Sequence, residues 1–228
     1  MSTTNKKAYV FEMDLVKANL FSLIIFIIAG IITYLIFGFS DFFGKPFILT
    51  ILIGYFALHE LLHGIGYLIG GTKYQNISYG VLLEKGIFYC MSYQEITKKN
   101  IMISLLMPFI WITVVTYIIG LMISSPFLAW LSVVNFMGAS MDLMMFFYLL
   151  RIKDVTYGES GQPNEFVLIS SENLKNKKSL FFHVKDVRDY KKEDYEFKDF
   201  KRFNITKGSF IALLVVLGLD IINFFILK

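Results

Sequence analysis

Long stretches of apolar residues, separated by polar segments, dominate the pattern of this chain. There are five such stretches, at roughly 20–39, 47–70, 101–123, 127–150 and 209–227. Each is close to the ~20 residues that a helix needs to cross the hydrocarbon core of a bilayer. The third and fourth form one nearly uncharged run, which we divide at Ser124–Phe127 because Pro126 suits the start of a helix. The pattern therefore predicts five transmembrane helices.

Two of the polar segments contain shorter patterns. Residues 72–100 hold YQNISYGVLL and GIFYCMSY on either side of a Glu-Lys-Gly turn, which predicts a β-hairpin at the cytoplasmic membrane face. Residues 151–204 are lysine-rich but keep the clusters EFVLIS and SLFFHV. We therefore expect an all-α polytopic membrane protein with about five transmembrane helices, a hairpin after helix two and a small cytoplasmic segment before helix five. The expected divisions are a core over 1–170, a cytoplasmic appendage over 171–208 and a C-terminal transmembrane helix over 209–228.

Composition and charge support this class of protein. The 228 residues are 56% hydrophobic and 18% charged, with a mean hydropathy of +0.60, which is too apolar for an ordinary soluble domain. The single cysteine, Cys90, excludes an intrachain disulfide and a metal site built from cysteines. Basic residues lie beside the apolar stretches, where anionic lipid is a simpler partner than nucleic acid.

The basic residues are distributed unevenly about the apolar stretches. Of the 22 Lys and Arg residues, 20 lie before the first stretch, between the second and third, or between the fourth and fifth. Only Lys45 and Lys228 lie elsewhere. Because cytoplasmic loops carry an excess of Lys and Arg, we expect the N-terminus in the cytoplasm and the C-terminus outside.

The sequence HELLHGIGYLIGG, residues 59–71, places ionisable side chains inside the second apolar stretch. Such groups are costly in hydrocarbon, so their presence there indicates a function. His59 and His63 are one helical turn apart and project from one face, so both imidazoles can bind one metal ion. Glu60 is rotated about 100° from His59 and can reach a water molecule on that metal without being a ligand. The spacing predicts zinc, with Glu60 as the catalytic base.

Zinc needs a third protein ligand, and few residues can supply one. Asp142 lies in the fourth stretch, Asp220 in the fifth, and His183 in the polar segment between them. With helices that start at residues 47 and 127, the helical rise puts His59, His63 and Asp142 about 18, 24 and 22 Å deep. Asp220 is also near the midplane, whereas His183 would require a loop to dip inward. Asp142 is therefore the favoured ligand, with Asp220 and His183 as alternatives.

Two residues near Asp142, Asn135 and Gly138, suggest specific roles. Asn135 precedes it by two helical turns on the same face. The Asn135 amide could donate to an oxyanion that develops during catalysis, or it could bond to a neighbouring helix, as asparagine often does in membranes. Gly138 lies between them and would allow a close approach of the second helix. The glycines of residues 64–71 would do the same from the other side, or end that helix.

The segments HELLHGIGYLIGG, NIMISLLMPFI and NFMGASMDLMMFFYLLRIKD resemble a bacterial family of membrane zincins, formerly described as a domain of unknown function. That family is distantly similar to the site-2 intramembrane metalloproteases. Its members carry H-E-x-x-H in one membrane helix and Asn-x-x-Gly-x-x-x-Asp in a later one, which Asn135, Gly138 and Asp142 match. Pro108 also fits. The resemblance covers roughly residues 47–170, but the Asn-Pro and Asp-Gly pairs usual in site-2 proteases are missing here.

The resemblance implies zinc bound by His59, His63 and Asp142 in a bacterial plasma-membrane protein. It implies an intramembrane or membrane-proximal endopeptidase, a metalloprotease whose metal-bound water is activated by Glu60. The expected substrate is a membrane protein or membrane-associated peptide, which could add as a strand to the hairpin in residues 72–100. The alternative is a non-proteolytic membrane protein with a structural metal site, which acts as a binding or maturation partner of a transporter or peptide. An iron-dependent oxygenase would need more than three histidines.

Overall fold

The computed structural model describes residues 6–39, 48–82, 87–160, 164–190 and 215. Within these ranges, four helices are long and apolar enough to cross a membrane. They are α1 (Leu15–Phe37), α2 (Ile48–Ile69), α3 (Lys98–Met122) and α4 (Pro126–Leu150). The predicted fifth helix, at 209–227, lies outside the described residues except for Val215.

The helices begin where short polar side chains can bond to the first amides. Asp14 accepts a hydrogen bond from the backbone N–H of Lys17 at the start of α1. Thr97 and Ser125 act in the same way at the starts of α3 and α4. These caps satisfy donors that a helix cannot pair by itself. The α3 helix is irregular, because the π-helical turns Phe109–Val115 follow directly on Pro108.

A five-stranded antiparallel sheet lies at one end of the helices. The strands are β1 (Lys7–Met13), β4 (Ile96–Thr97), β5 (Thr156–Glu159), β6 (Glu165–Ser170) and β7 (Phe182–Asp189). Their order in the sheet is β4-β5-β6-β1-β7. Lys7 of β1 pairs with Ser170 of β6 on one side and with Asp189 of β7 on the other.

The sheet shows that the expectation of an all-α fold was wrong. The polar segments before α1 and after α4 are not appendages of a helical bundle, because they supply the central and outer strands of one sheet. The pairing joins segments about 160 residues apart, so no local sequence pattern predicts it. The predicted hairpin is present as β2 (Ile77–Leu82) and β3 (Ile87–Ser92), paired from Ile77–Ser92 to Leu82–Ile87.

The core beneath the sheet joins it to the helices. Phe11 of β1 is 1% exposed and stacks on Phe166 of β6, with ring centroids 5.3 Å apart. The same ring meets the edge of Tyr148 in α4 at 5.6 Å. The sheet is therefore packed on the ends of the helices, at the end where α1 and α3 begin and α4 finishes.

Candidate metal centre

The α2 helix places His59 and His63 on one buried face. Each is 8% exposed, and their Nε2 atoms are 3.1 Å apart. Two glycines let α3 approach this region closely. A Cβ on Gly66 would lie 2.4 Å from Ser104 Cα, and one on Gly70 would lie 1.9 Å from the Asn100 side chain. Close backbone packing therefore surrounds the histidines on the α3 side.

The α4 helix brings Asp142 to the same point. Its Oδ2 atom lies 3.2 Å from His59 Nε2 and 3.5 Å from His63 Nε2. This oxygen is buried and makes no hydrogen bond. The structure thus collects two imidazole nitrogens and one carboxylate oxygen in a small triangle.

The hydrogen bonds behind the rings fix which nitrogen carries the proton. His63 Nδ1 donates to the backbone oxygen of Ser104 at 2.9 Å, because a carbonyl can only accept. Asn135 Nδ2 must donate to the Pro108 carbonyl at 3.2 Å, so its Oδ1 faces His59 and accepts from His59 Nδ1 at 2.8 Å. In neutral rings, both Nε2 atoms then present lone pairs towards Asp142.

This arrangement fits a metal ion. The two Nε2 atoms are 3.1 Å apart, and their lone pairs and the bare carboxylate oxygen repel one another unless a cation lies between them. The edge of a tetrahedron around zinc, with Zn–N bonds of about 2.0–2.1 Å, is about 3.3 Å long. The observed separations of 3.1, 3.2 and 3.5 Å lie around that value. The three donor atoms therefore suit one face of a zinc site.

Glu60 lies beside the triangle, between α2 and the hairpin. Its carboxylate and the two imidazoles have donor atoms that all lie within 4.8 Å of one another. The carboxylate also approaches the backbone of Cys90 in β3. Phe56 of α2 stacks on Phe88 of β3 at 6.4 Å, which holds the hairpin against this helix. Burial raises the pKa of the Cys90 thiol, so this side chain stays neutral beside Glu60.

Asn135 was predicted either to donate to an oxyanion or to bond to a neighbouring helix, and its contacts in the structure are with two neighbouring helices. It is 3% exposed, and its amide donates to the Pro108 carbonyl and, at 2.9 Å, to Thr113 Oγ1. Its oxygen is held by His59. Both amide hydrogens are thus committed to α3, and the contacts make Asn135 a positioning residue for His59.

The other predicted residues lie elsewhere. His183 is in β7, where its side chain is 60% exposed and lies 3.5 Å from Glu12. Asp220 lies outside the described residues. The expectation that Gly138 permits close helix packing was wrong, because a Cβ there would meet nothing within 4 Å. Gly66 and Gly70 of α2 instead permit close packing against α3.

Sequence reasoning missed the part of α3 that supports the histidines. Ser104 donates through Oγ to the His63 carbonyl at 2.9 Å and accepts from the His63 ring. Thr113 and Pro108 accept from Asn135. The signal in the sequence was the presence of hydroxyl residues and a proline inside an apolar stretch. Hydroxyl groups and the backbone groups left unpaired by a proline need hydrogen-bond partners there.

Two histidines one turn apart, a carboxylate opposite them and a glutamate beside them form the arrangement of H-E-x-x-H metal sites. Residues 52–157 match a family model described as "Putative zincin peptidase", which confirms the family resemblance seen in the sequence. The match begins in α2, ends in β5 and includes every residue of the site described above. No curated protein and no solved structure matches the chain significantly.

Proposed function

We propose that this protein is a zinc-dependent endopeptidase that cleaves substrates within or beside the membrane. The observation that carries the proposal is the convergence of His59 Nε2, His63 Nε2 and the unpaired Asp142 Oδ2, with Glu60 at the edge of the triangle. The zincin family match supports the same reaction class.

The roles follow from the positions of the side chains. His59, His63 and Asp142 would hold the zinc. The metal, when bound, would supply Lewis acidity to polarise a peptide carbonyl and to lower the pKa of a water molecule. Glu60 accepts the proton of the attacking water and delivers it to the leaving amine nitrogen. Asn135 and Ser104 keep the imidazole nitrogens aimed at the metal by accepting from the opposite ring nitrogens.

The proposed substrate is a membrane protein or a membrane-associated peptide. The four apolar helices support a location in the bilayer. A peptide bond inside a helix is shielded by its neighbours, so the substrate must be extended at the cleavage point. The hairpin β2–β3 packs against α2 beside Glu60, and a peptide held along it would pass the metal site.

We further propose that the sheet lies on the cytoplasmic side of the plasma membrane. The segments before α1, between α2 and α3, and after α4 all contribute strands to it, and hydrogen-bonded strands must share one side of a bilayer. The same segments carry nearly all the basic residues. A tag placed near residue 180 should therefore be protected from labelling reagents in intact cells. Labelling of this tag from outside the cell would contradict the proposed orientation.

Glu60→Gln separates catalysis from metal binding. The variant should keep about one zinc per chain, because Glu60 is not a ligand, while peptide-bond cleavage falls by about 100-fold to 10,000-fold. Zinc is measured by elemental analysis of detergent-purified protein and cleavage by release of fragments from membrane peptides. Unchanged activity in this variant would favour the alternative, a non-proteolytic protein with a structural metal site.

A further inference from the structure

The carbonyl oxygen of Ser104 in α3 lacks the hydrogen bond that a regular helix would give it. In a regular α-helix this oxygen would accept from the backbone N–H four residues later, at position 108. Position 108 is proline, which has no N–H. The next amide, that of Phe109, donates to the Leu106 carbonyl instead. Neither amide therefore competes for the Ser104 oxygen.

His63 makes use of this oxygen. Its Nδ1 donates to Ser104 O at 2.9 Å, and Ser104 Oγ donates back to the His63 carbonyl at 2.9 Å. Ser104 is 1% exposed, so bulk solvent does not compete for these two contacts. The close approach at Gly66 brings the two helices near enough for this exchange.

Pro108 also contributes to the orientation of the second histidine. Its own carbonyl accepts from Asn135 Nδ2 at 3.2 Å, and Asn135 in turn holds His59 Nδ1. One residue of α3 thus lies behind both imidazoles. Its missing N–H leaves an acceptor for His63, and its oxygen anchors the amide that orients His59.

We propose that Pro108 is a positioning residue for the metal site, and that its missing N–H is the property that matters. This inference rests on the proposed zinc site, but it concerns the His63 ring itself. An alanine at position 108 would restore an amide that competes for the Ser104 oxygen, and His63 would lose its exclusive acceptor. Loss of such a supporting contact lowers metal affinity by about 10-fold to 100-fold.

The test compares full-length wild type with Pro108→Ala and with a chain that carries an α-hydroxy acid at position 108. The hydroxy acid, like proline, has no N–H, but it has no ring. Pro126→Ala, at the first turn of α4, controls for the loss of a proline elsewhere. Zinc affinity is measured by competition with a chelator. The ¹⁵N spectra of the metal-free proteins, about two pH units above the ordinary histidine pKa, report the tautomer of each of the three histidines.

We expect Pro108→Ala to bind zinc about 10-fold to 100-fold more weakly and to show His63 as a mixture of tautomers. The hydroxy-acid chain and Pro126→Ala should match the wild type in both measurements. If Pro108→Ala does not fold, the hydroxy-acid chain alone decides. Wild-type behaviour of Pro108→Ala, or weak binding and a mixed tautomer in the hydroxy-acid chain, overturns the inference. If the wild type itself binds no zinc, the proposed function fails, while the metal-free spectra still test the role of Pro108.

Discussion

The metal site and the five-stranded sheet are built from the same chain in opposite ways. Two of the site residues, His59 and His63, are neighbours on one helix, and their spacing can be read directly. The sheet depends on pairing between β1 and β6, whose partners Lys7 and Ser170 lie near opposite ends of the described chain. Local chemistry therefore reveals the site, whereas only the folded chain reveals the sheet.

The two regions also differ in what stabilises them. The site contains buried polar groups that are each held by a specific partner or left for a cation, such as Asp142 Oδ2. The sheet is held by strand pairing over a core of aromatic rings, including Phe11 and Phe166. Changes in the site should therefore alter metal binding without unfolding the sheet. Changes in the sheet core should destabilise the fold without altering the metal affinity of the folded protein.

The largest effect is expected from Asp142→Ala. The variant removes the carboxylate opposite both imidazoles, so zinc affinity should fall by at least about 1,000-fold, which corresponds to about 4 kcal/mol. Chelator competition measures the affinity, and Asp220→Ala is the matched control that should keep zinc. Zinc binding that survives in Asp142→Ala but not in Asp220→Ala would reassign the third ligand. The sheet should stay intact in both, as judged by circular dichroism.

Phe11→Ala tests the core of the five-stranded sheet. Loss of this fully buried ring should destabilise the protein by about 3–5 kcal/mol, because its stack on Phe166 and its contact with Tyr148 are lost together. Thermal unfolding in detergent measures the loss, and Val16→Ala, at a side chain 78% exposed, should change little. The folded fraction of Phe11→Ala should still bind zinc normally. A parallel loss of zinc affinity would mean that the two regions are one cooperative unit.

Asn135→Ala tests the support of the site at a smaller scale. Because Asn135 orients His59, zinc affinity should fall by about 10-fold to 100-fold. Ser140→Ala, which removes a buried hydroxyl from the same helix, should leave the affinity unchanged. The variant also distinguishes two roles for Asn135. Loss of kcat at saturating zinc, with unchanged zinc affinity, would support the oxyanion role, one of the two roles predicted from the sequence.

Thr97→Ala should give the smallest effect. Thr97 Oγ1 accepts from the backbone N–H of Asn100 at the start of α3, and loss of such a cap costs about 1 kcal/mol. Thr97→Ser keeps the hydroxyl and should keep most of the stability. Both variants should bind zinc like the wild type, as measured by chelator competition. An effect on zinc larger than the effect on stability would show that the α3 start and the site are coupled.

Much of the site could be predicted because polar residues are conspicuous in long apolar stretches. His59, Glu60, His63 and Asp142 were recognised as costly groups in apolar stretches, and the structure brings them together. The support from α3 was not predicted, because it uses backbone oxygens. A carbonyl that lacks its helical partner leaves no trace in sequence except the proline that causes it.

The sheet was not predicted for a different physical reason. Strands such as β1 and β6 are short, and their burial depends on partners that a local pattern does not contain. The hairpin β2–β3 was predicted because both of its strands and its turn lie within residues 72–100. Four of the predicted helices were recovered because a run of about 20 apolar residues is a sufficient signal by itself.

The position of β1 between β6 and β7 has a consequence for the order in which the protein is assembled. This strand is synthesised first, yet its two neighbours, β6 and β7, follow only after all four apolar helices have been made. If the helices span a bilayer, as we propose, the sheet can close only when each helix has crossed in the correct direction, because a reversed crossing would leave strands on opposite sides. Closure of the sheet would then act as an internal check on insertion. A chain that fails this check would expose unpaired strands, the kind of surface that promotes aggregation.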